Sequence, residues 1–154
     1  MNLTIDANIL VSEVDSETGV TKSLLLHPTL ETVYIAEYTW NEAMYVLDRK
    51  FEGWIRGGRL VQAIADNVLR GTIAVFASRC TVIAEATYVA YESEARLRIP
   101  GDPDDWHSVA LAMATDTAIW TLDQKHFFGC GMAIWNTKIL RAVITDNARH
   151  DESG

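Results

Sequence analysis

The chain has 154 residues, 49% hydrophobic and 22% charged, which is enough apolar mass for one ordinary domain with a buried core and too much for a disordered chain. Its formal net charge of −8 argues against a passive nucleic-acid binder, which needs a basic face. The same acidity suits a protein that binds divalent cations first, because the bound ion then becomes the largest local charge. No apolar run is long enough to span a membrane, and the N-terminus MNLTIDANIL has neither a basic leader nor a small-residue cleavage site. No membrane association and a cytoplasmic location are therefore expected. Cys80 and Cys130 are far apart and in no metal-ligand spacing, so they read as reduced thiols and not as part of a zinc site.

Taken in chain order, NLTIDA is a short buried strand ending at Asp6, followed by a turn or two of helix in ANILVSEVD. A polar break at 16–19 precedes a second short helix in TKSLLLHP, stopped by Pro28. TVYIAEY reads as the next strand. NEAMYVLDRKFEGWIR has apolar residues at helical spacing up to Gly57 and Gly58, which places Glu42 in a first helical turn. Residues 59–70 read as a further helix, CTVIAE as a strand, and ATYVAYESEARLRI as one helix ending before Pro100.

GDPDDWHSVALA then gathers three aspartates around a proline. Asp102 fits an N-cap, Pro103 the first helical position, and Asp104 and Asp105 a first turn whose dipole favours anions. Residues 117–123, TAIWTLD, form the clearest strand, and MAIWNT offers one more after the FFGCG turn. Strands alternating with helices predict an α/β fold, an α/β/α sandwich with a central, mainly parallel sheet. The expected organisation is a single domain over 1–145 and a polar, frayed C-terminal tail over 146–154.

Two strands end in an aspartate, Asp6 and Asp123. The strand C-termini of a parallel sheet share one edge, beyond which ligands bind, so these two side chains are expected in one crevice. Glu42 follows a strand and is expected near the same edge. A helix precedes the Asp102 segment, so topology alone does not place Asp105. The basic run Arg49, Lys50, Arg56 and Arg59 reads as a solvated helix face. His107 reads as a packed or surface histidine and Trp120 as core. Trp106, at the mouth of the expected crevice, is the one tryptophan placed to stack on a base.

Four stretches in order, DANIL, WNEAMYVLDRK, RIPGDPDDWHSVALA and IWTLDQKHFFG, resemble the PIN domain family, and among its members the VapC-type toxin ribonucleases. The resemblance covers the chain from Met1 to AIWNTKIL. It implies a metal-dependent endoribonuclease, a hydrolase of RNA phosphodiester bonds, acting as the toxin of a type II toxin–antitoxin pair. By motif position the catalytic, metal-binding carboxylates are Asp6, Glu42, Asp105 and Asp123, with Asp102 a further acidic position for Mg²⁺ or Mn²⁺. Asn8 and Thr121 match supporting positions, and Asp104 is left out of the set. The resemblance also implies an RNA substrate, a cognate antitoxin and a homodimer.

Relatives often carry Ser or Thr where this chain has Ala7, and another acid near His126. Crowded carboxylates raise one another's pKa, so the metal-free site is expected to be strained and divalent ions to stabilise the fold by mass action. The loss of an acid at His126 supports an alternative, a catalytically weak PIN-like module that binds a metal or a partner.

Overall fold

Alternation along the strands sends neighbouring side chains to opposite faces of one sheet, and this divides the core in two. The computed structural model describes residues 1–16 and 18–152, with side chains described through residue 147. Strands β1 (Asn2–Ile5), β2 (Thr32–Ala36), β3 (Cys80–Ile83), β4 (Ala118–Trp120) and β5 (Ile134–Trp135) form a five-stranded sheet in the order β3-β2-β1-β4-β5. Every pairing in it is parallel.

Leu3, Ile5, Val33, Ile35 and Trp120 enter one core with apolar side chains of α1 (Ala7–Glu13), α2 (Val20–Leu25), α3 (Glu37–Arg56), α4 (Gln62–Arg79) and α9 (Thr137–Glu152). Tyr34, Ala36, Ile119 and Ile134 enter the other with α5 (Glu85–Tyr88), α6 (Glu92–Arg98) and α7 (Trp106–Thr115). Helices thus cover both faces, the α/β/α sandwich expected from the alternating elements. The order of strands reverses direction between β1 and β4, the point at which parallel sheets open a crevice beyond their C-terminal ends.

Helix α3 buries Thr39, Ala43, Leu47 and Phe51 at four-residue steps, one stripe of a helix facing the core. It starts at Glu37, directly from β2, so Glu42 lies in its second turn and not in the first. Helix α4 is longer than the expected 59–70: it begins at Gln62 and runs through Gly71 to Arg79, because Phe76 anchors its last turns in the first core. The stretch expected as one helix before Pro100 is broken into α5, a 3₁₀ turn over Val89–Tyr91, and α6. Strand β4 keeps three residues of the expected seven, although the Thr121 N–H still bonds the Trp135 carbonyl at 3.0 Å.

The residues expected to fray are helical as far as Glu152, as the end of α9, while 153–154 and residue 17 of the polar break lie outside the described residues. Three residues of the basic run on and after α3 are spent locally: Lys50 pairs with Asp15, Arg56 with Glu52, and Arg59 lies over the Trp54 ring. Cys80 and Cys130 are free and buried. Among the described residues no helix is long and apolar enough to cross a membrane.

Candidate functional site

Asp6 follows the last residue of β1, and its backbone N–H continues the ladder to the Trp120 carbonyl of β4 at 3.0 Å. Its part-buried carboxylate is held at both oxygens. Oδ1 accepts from the Ala7 N–H at 2.9 Å, capping α1, and Oδ2 accepts from the Thr121 hydroxyl at 2.9 Å. That hydroxyl is fully buried and has one proton, given to Asp6. Its oxygen accepts in turn from Asn8 Nδ2 at 3.2 Å and from the Asp123 N–H at 3.0 Å. Asn8 Oδ1 takes the Leu122 N–H at 3.2 Å. Two polar side chains therefore tie the end of β1 to the end of β4 and fix where both aspartates emerge. Ala7 contributes no hydroxyl here, but its N–H supplies a contact that any residue would make.

The second group is looser. His126, on the short helix α8 (Gln124–Phe127), places Nδ1 at 3.1 Å from Asp123 Oδ2, 3.7 Å from Asp105 Oδ2 and 3.8 Å from Asp102 Oδ2. All four side chains are between 38 and 45% exposed, so water reaches each of them. Asp102, Asp105 and His126 can each bring one ligand atom within 4.8 Å of the others.

Capping does not account for these aspartates. Pro103–Asp105 form a 3₁₀ turn ahead of α7, and neither the Asp102 nor the Asp105 carboxylate makes a cap hydrogen bond among the described residues. The Asp105 N–H is met instead by the Asp102 backbone carbonyl at 3.2 Å, which leaves both carboxylates to point at His126. The expected N-cap at Asp102 is thereby corrected. The proline-preset turn closes through backbone, so the side chain has no cap to make. Asp123 does cap, weakly, accepting from the His126 N–H at 3.4 Å. Asp104 is exposed and paired with Arg96 at 3.2 Å, away from the group.

Asp105 joins the two halves. A cavity of about 250 Å³ is lined by Asp6, Ala7, Asn8, Val11, Glu42, Val46 and Asp105, so the carboxylate that faces His126 also borders the space over Asp6 and Glu42. Electrostatics record the crowding. Burial, opposed by the Thr121 hydrogen bond and reinforced by the Asp105 charge, pushes Asp6 up to about 6. Glu42 is raised by burial and by Asp105 and Asp102. Asp105 is raised by burial and by Asp102, with His126 pulling the other way.

Carboxylate oxygens in this number are the donors that hard divalent ions take, Mg²⁺ and Mn²⁺ among them, and a cation would offset the burial and the mutual repulsion that together raise three of them. The donor set therefore fits a divalent cation. His126 is its one nitrogen donor.

The one tryptophan read from sequence as placed to contact a ligand is withdrawn from the surface. Trp106 is 4% exposed and packs in the second core, because it opens α7 where that helix turns inward and is buried from Trp106 through Ala112. His107 is buried too, with Nδ1 bonded to the Tyr88 hydroxyl at 3.2 Å. An aromatic that does reach solvent beside the site, Tyr38, lies in the first turn of α3 and is 54% exposed. Its position one helical turn before Glu42 was the signal that sequence reading passed over.

Comparison with known proteins supports the same frame. In the sequence, the model of the PIN domain family matches residues 4–145. No curated protein matches the chain. Among solved structures, that of FitAcB from Neisseria gonorrhoeae is similar at a TM-score of 0.58 and 20% identity, over 90% of this chain and 99% of that one. The structure of VapBC2 from Rickettsia felis bound to a DNA fragment from its promoter is similar at a TM-score of 0.61 and 17% identity, over 88% of this chain and 98% of that one. At these identities the structures speak for the fold, and the family match spans nearly the whole sequence: the chain belongs to the PIN domain family.

Proposed function

We propose that this protein is a metal-dependent endoribonuclease, and that it is the toxin of a type II toxin–antitoxin pair. PIN domains are in general nucleases, and the fold is shared with FitAB and with VapBC2 from Rickettsia felis, each bound to a DNA fragment in its structure. The observation that carries the reading is Asp105, a carboxylate that borders the cavity over Asp6 and Glu42 while also facing Asp102, Asp123 and His126.

In this reading Asp6, Glu42, Asp105 and Asp123 hold Mg²⁺ or Mn²⁺, with Asp102 at the rim. A divalent ion there would supply charge neutralisation at the phosphoryl oxygens and a more acidic water. The chain's own contribution is placement. Thr121 orients the Asp6 carboxylate through a hydrogen bond that favours its charged form, and Asn8 holds the turn from which Asp123 leaves the sheet. Burial keeps Asp6 from being satisfied by water alone, so the carboxylate is poised to release its proton to a competing cation. A cognate antitoxin with an Arg or Lys side chain over the carboxylates would neutralise the same charge, and association as a homodimer belongs to the same reading.

The test is cleavage of RNA by purified protein in Mg²⁺ or Mn²⁺. Cleavage that EDTA and Asp105→Asn both abolish supports the proposal, and metal-independent cleavage that survives Asp105→Asn sinks it. One observation favours a second reading, a module that binds metal or a partner with little turnover. His126 stands near the position at which relatives often carry another acid, and its imidazole occupies the space beside Asp123. Mn²⁺ binding by calorimetry with no cleavage of any RNA would decide for that module.

A further inference from the structure

Although Trp106 itself is buried, its stacking surface is relayed outward. The Trp106 ring stacks on His107 with centroids 3.9 Å apart and planes at 27°, and His107 stacks on Tyr38 at 4.0 Å and 6°. Two rings cannot share one face of an imidazole, so the three form a pile, with the Arg96 guanidinium 5.4 Å from the Trp106 ring. The Tyr88 hydroxyl, bonded to His107 Nδ1 at 3.2 Å, pins the middle ring. Only Tyr38 breaks the surface, at 54% exposed. One of its faces is covered by His107, so the open side includes the other.

The place of this ring matters as much as its exposure. Tyr38, Glu42, Tyr45 and Arg49 follow one another along α3 at steps of four, three and four residues, which puts them on one stripe of the helix. All four are exposed. Arg49 makes no ion pair among the described residues, so it is available to a phosphate. Tyr38 is thus a flat, immobilised ring one turn from a carboxylate of the candidate site, with a cation further along the same stripe.

We propose that Tyr38 is a base-stacking platform: an unpaired base of a single-stranded nucleic acid lies on the outer face of its ring and sets which phosphate sits over Glu42 and Asp105. This rests on the nuclease reading. Stacking suits the geometry because every base has a π-face and because the pile has already fixed the ring, so little torsional freedom is lost on binding. A base on Tyr38 extends an existing pile of aromatic rings. Tyr45 is 65% exposed and stacks on no ring among the described residues, so it is the natural control.

The experiment is fluorescence anisotropy with a labelled single-stranded RNA of mixed sequence, in Ca²⁺, its integrity checked by gel, and with the same strand carrying one abasic position moved along its length. Loss of a base stack costs roughly tenfold or more in affinity. Tyr38→Ala is expected to lose that factor, Tyr38→Phe to keep wild-type affinity, and Tyr45→Ala to lose much less. One abasic position should weaken wild type by a similar factor and leave Tyr38→Ala unchanged. Equal binding by wild type and Tyr38→Ala overturns the platform alone. If that is joined by a change of oligomeric state in Tyr38→Ala, the face belongs to a second copy of the chain. Failure of Tyr38→Phe, or an equal loss in Tyr45→Ala, also overturns stacking on the pinned ring. No binding by wild type overturns the platform together with the nuclease reading beneath it.

Discussion

The two halves of the carboxylate site are built differently. Around Asp6 both carboxylate oxygens are hydrogen-bonded, the supporting Thr121 hydroxyl is buried, and the contacts are made by residues at the ends of the adjacent strands β1 and β4. Around His126 the aspartates come from a 3₁₀ turn and a short helix, stand in solvent, and meet the imidazole mostly at distances beyond a hydrogen bond. The first half is made by the folding of the sheet, and the second by loops carried on it. Removing a supporting hydrogen bond in the first half should therefore cost stability and function together, while changes in the second should alter ion preference with little effect on the fold.

The largest effect is expected at Asp6. Asp6→Asn should abolish Mn²⁺ binding by calorimetry and lower RNA cleavage by roughly a hundredfold or more, since charge stabilisation at a metal centre is worth several kcal/mol. The same substitution should raise the melting temperature of the metal-free protein at neutral pH, because it removes a carboxylate whose ionisation burial opposes. A variant that melts lower and still binds Mn²⁺ would show Asp6 to be a helix cap and nothing more.

The metal-free protein should also lose stability as pH rises. The folded pKa of Asp6, about 6, lies above its ordinary value of 3.8, so between those values the folded state binds more protons than the unfolded one. Stability then falls with rising pH across that window, by on the order of 3 kcal/mol from this group. Glu42 and Asp105, also raised, act in the same direction. Chemical denaturation in EDTA should therefore give greater stability near pH 4.5 than near pH 7, and the difference should shrink in Asp6→Asn and on adding Mn²⁺. The opposite slope would mean that the cluster is already neutralised by groups within the fold.

Thr121→Val tests the support for the first half. The valine keeps the volume, removes the proton given to Asp6, and strands the Asn8 amide and the Asp123 N–H that share the hydroxyl oxygen. A loss of about 1–3 kcal/mol in stability and about 10–100-fold in Mn²⁺ affinity is expected. Calorimetry on the folded variant separates the two.

The sheet was legible in the sequence because parallel strands buried on both faces are short apolar runs, and each of the five lies within a stretch read that way. Asp6 and Asp123 could be placed together because each follows a strand of one parallel sheet. Asp105 could not, since a helix precedes its turn, and only the motif placed it beside them. Helix limits were harder to read. Gly71 looks like a break, but Phe76 beyond it packs in the core and carries α4 through the glycine. Trp106 was misread for a related reason: a tryptophan beside acidic residues looks exposed until α7 is seen to be buried nearly all round. The pile that brings Tyr38 to the surface links residues 38, 106 and 107, a contact between distant segments that no local pattern encodes.

The smallest effect is expected at His126, in the half built from loops. His126→Asp exchanges an imidazole for a carboxylate beside Asp102, Asp105 and Asp123. Imidazole nitrogen is a poorer partner for Mg²⁺ than for Mn²⁺, whereas a carboxylate suits both. The substitution should therefore raise Mg²⁺ affinity relative to Mn²⁺ by a few-fold, with stability in the presence of metal nearly unchanged because the residue is 45% exposed. If His126 is a nitrogen ligand, pulsed EPR of the Mn²⁺-loaded wild type should show a nitrogen coupling that the variant lacks. If instead the imidazole only fills the place of a cation, the coupling is absent from both proteins, and the variant gains affinity for both ions equally. That outcome would make the exposed half of the site a self-neutralised one, and the difference between the two halves would then be one of occupancy as well as of construction.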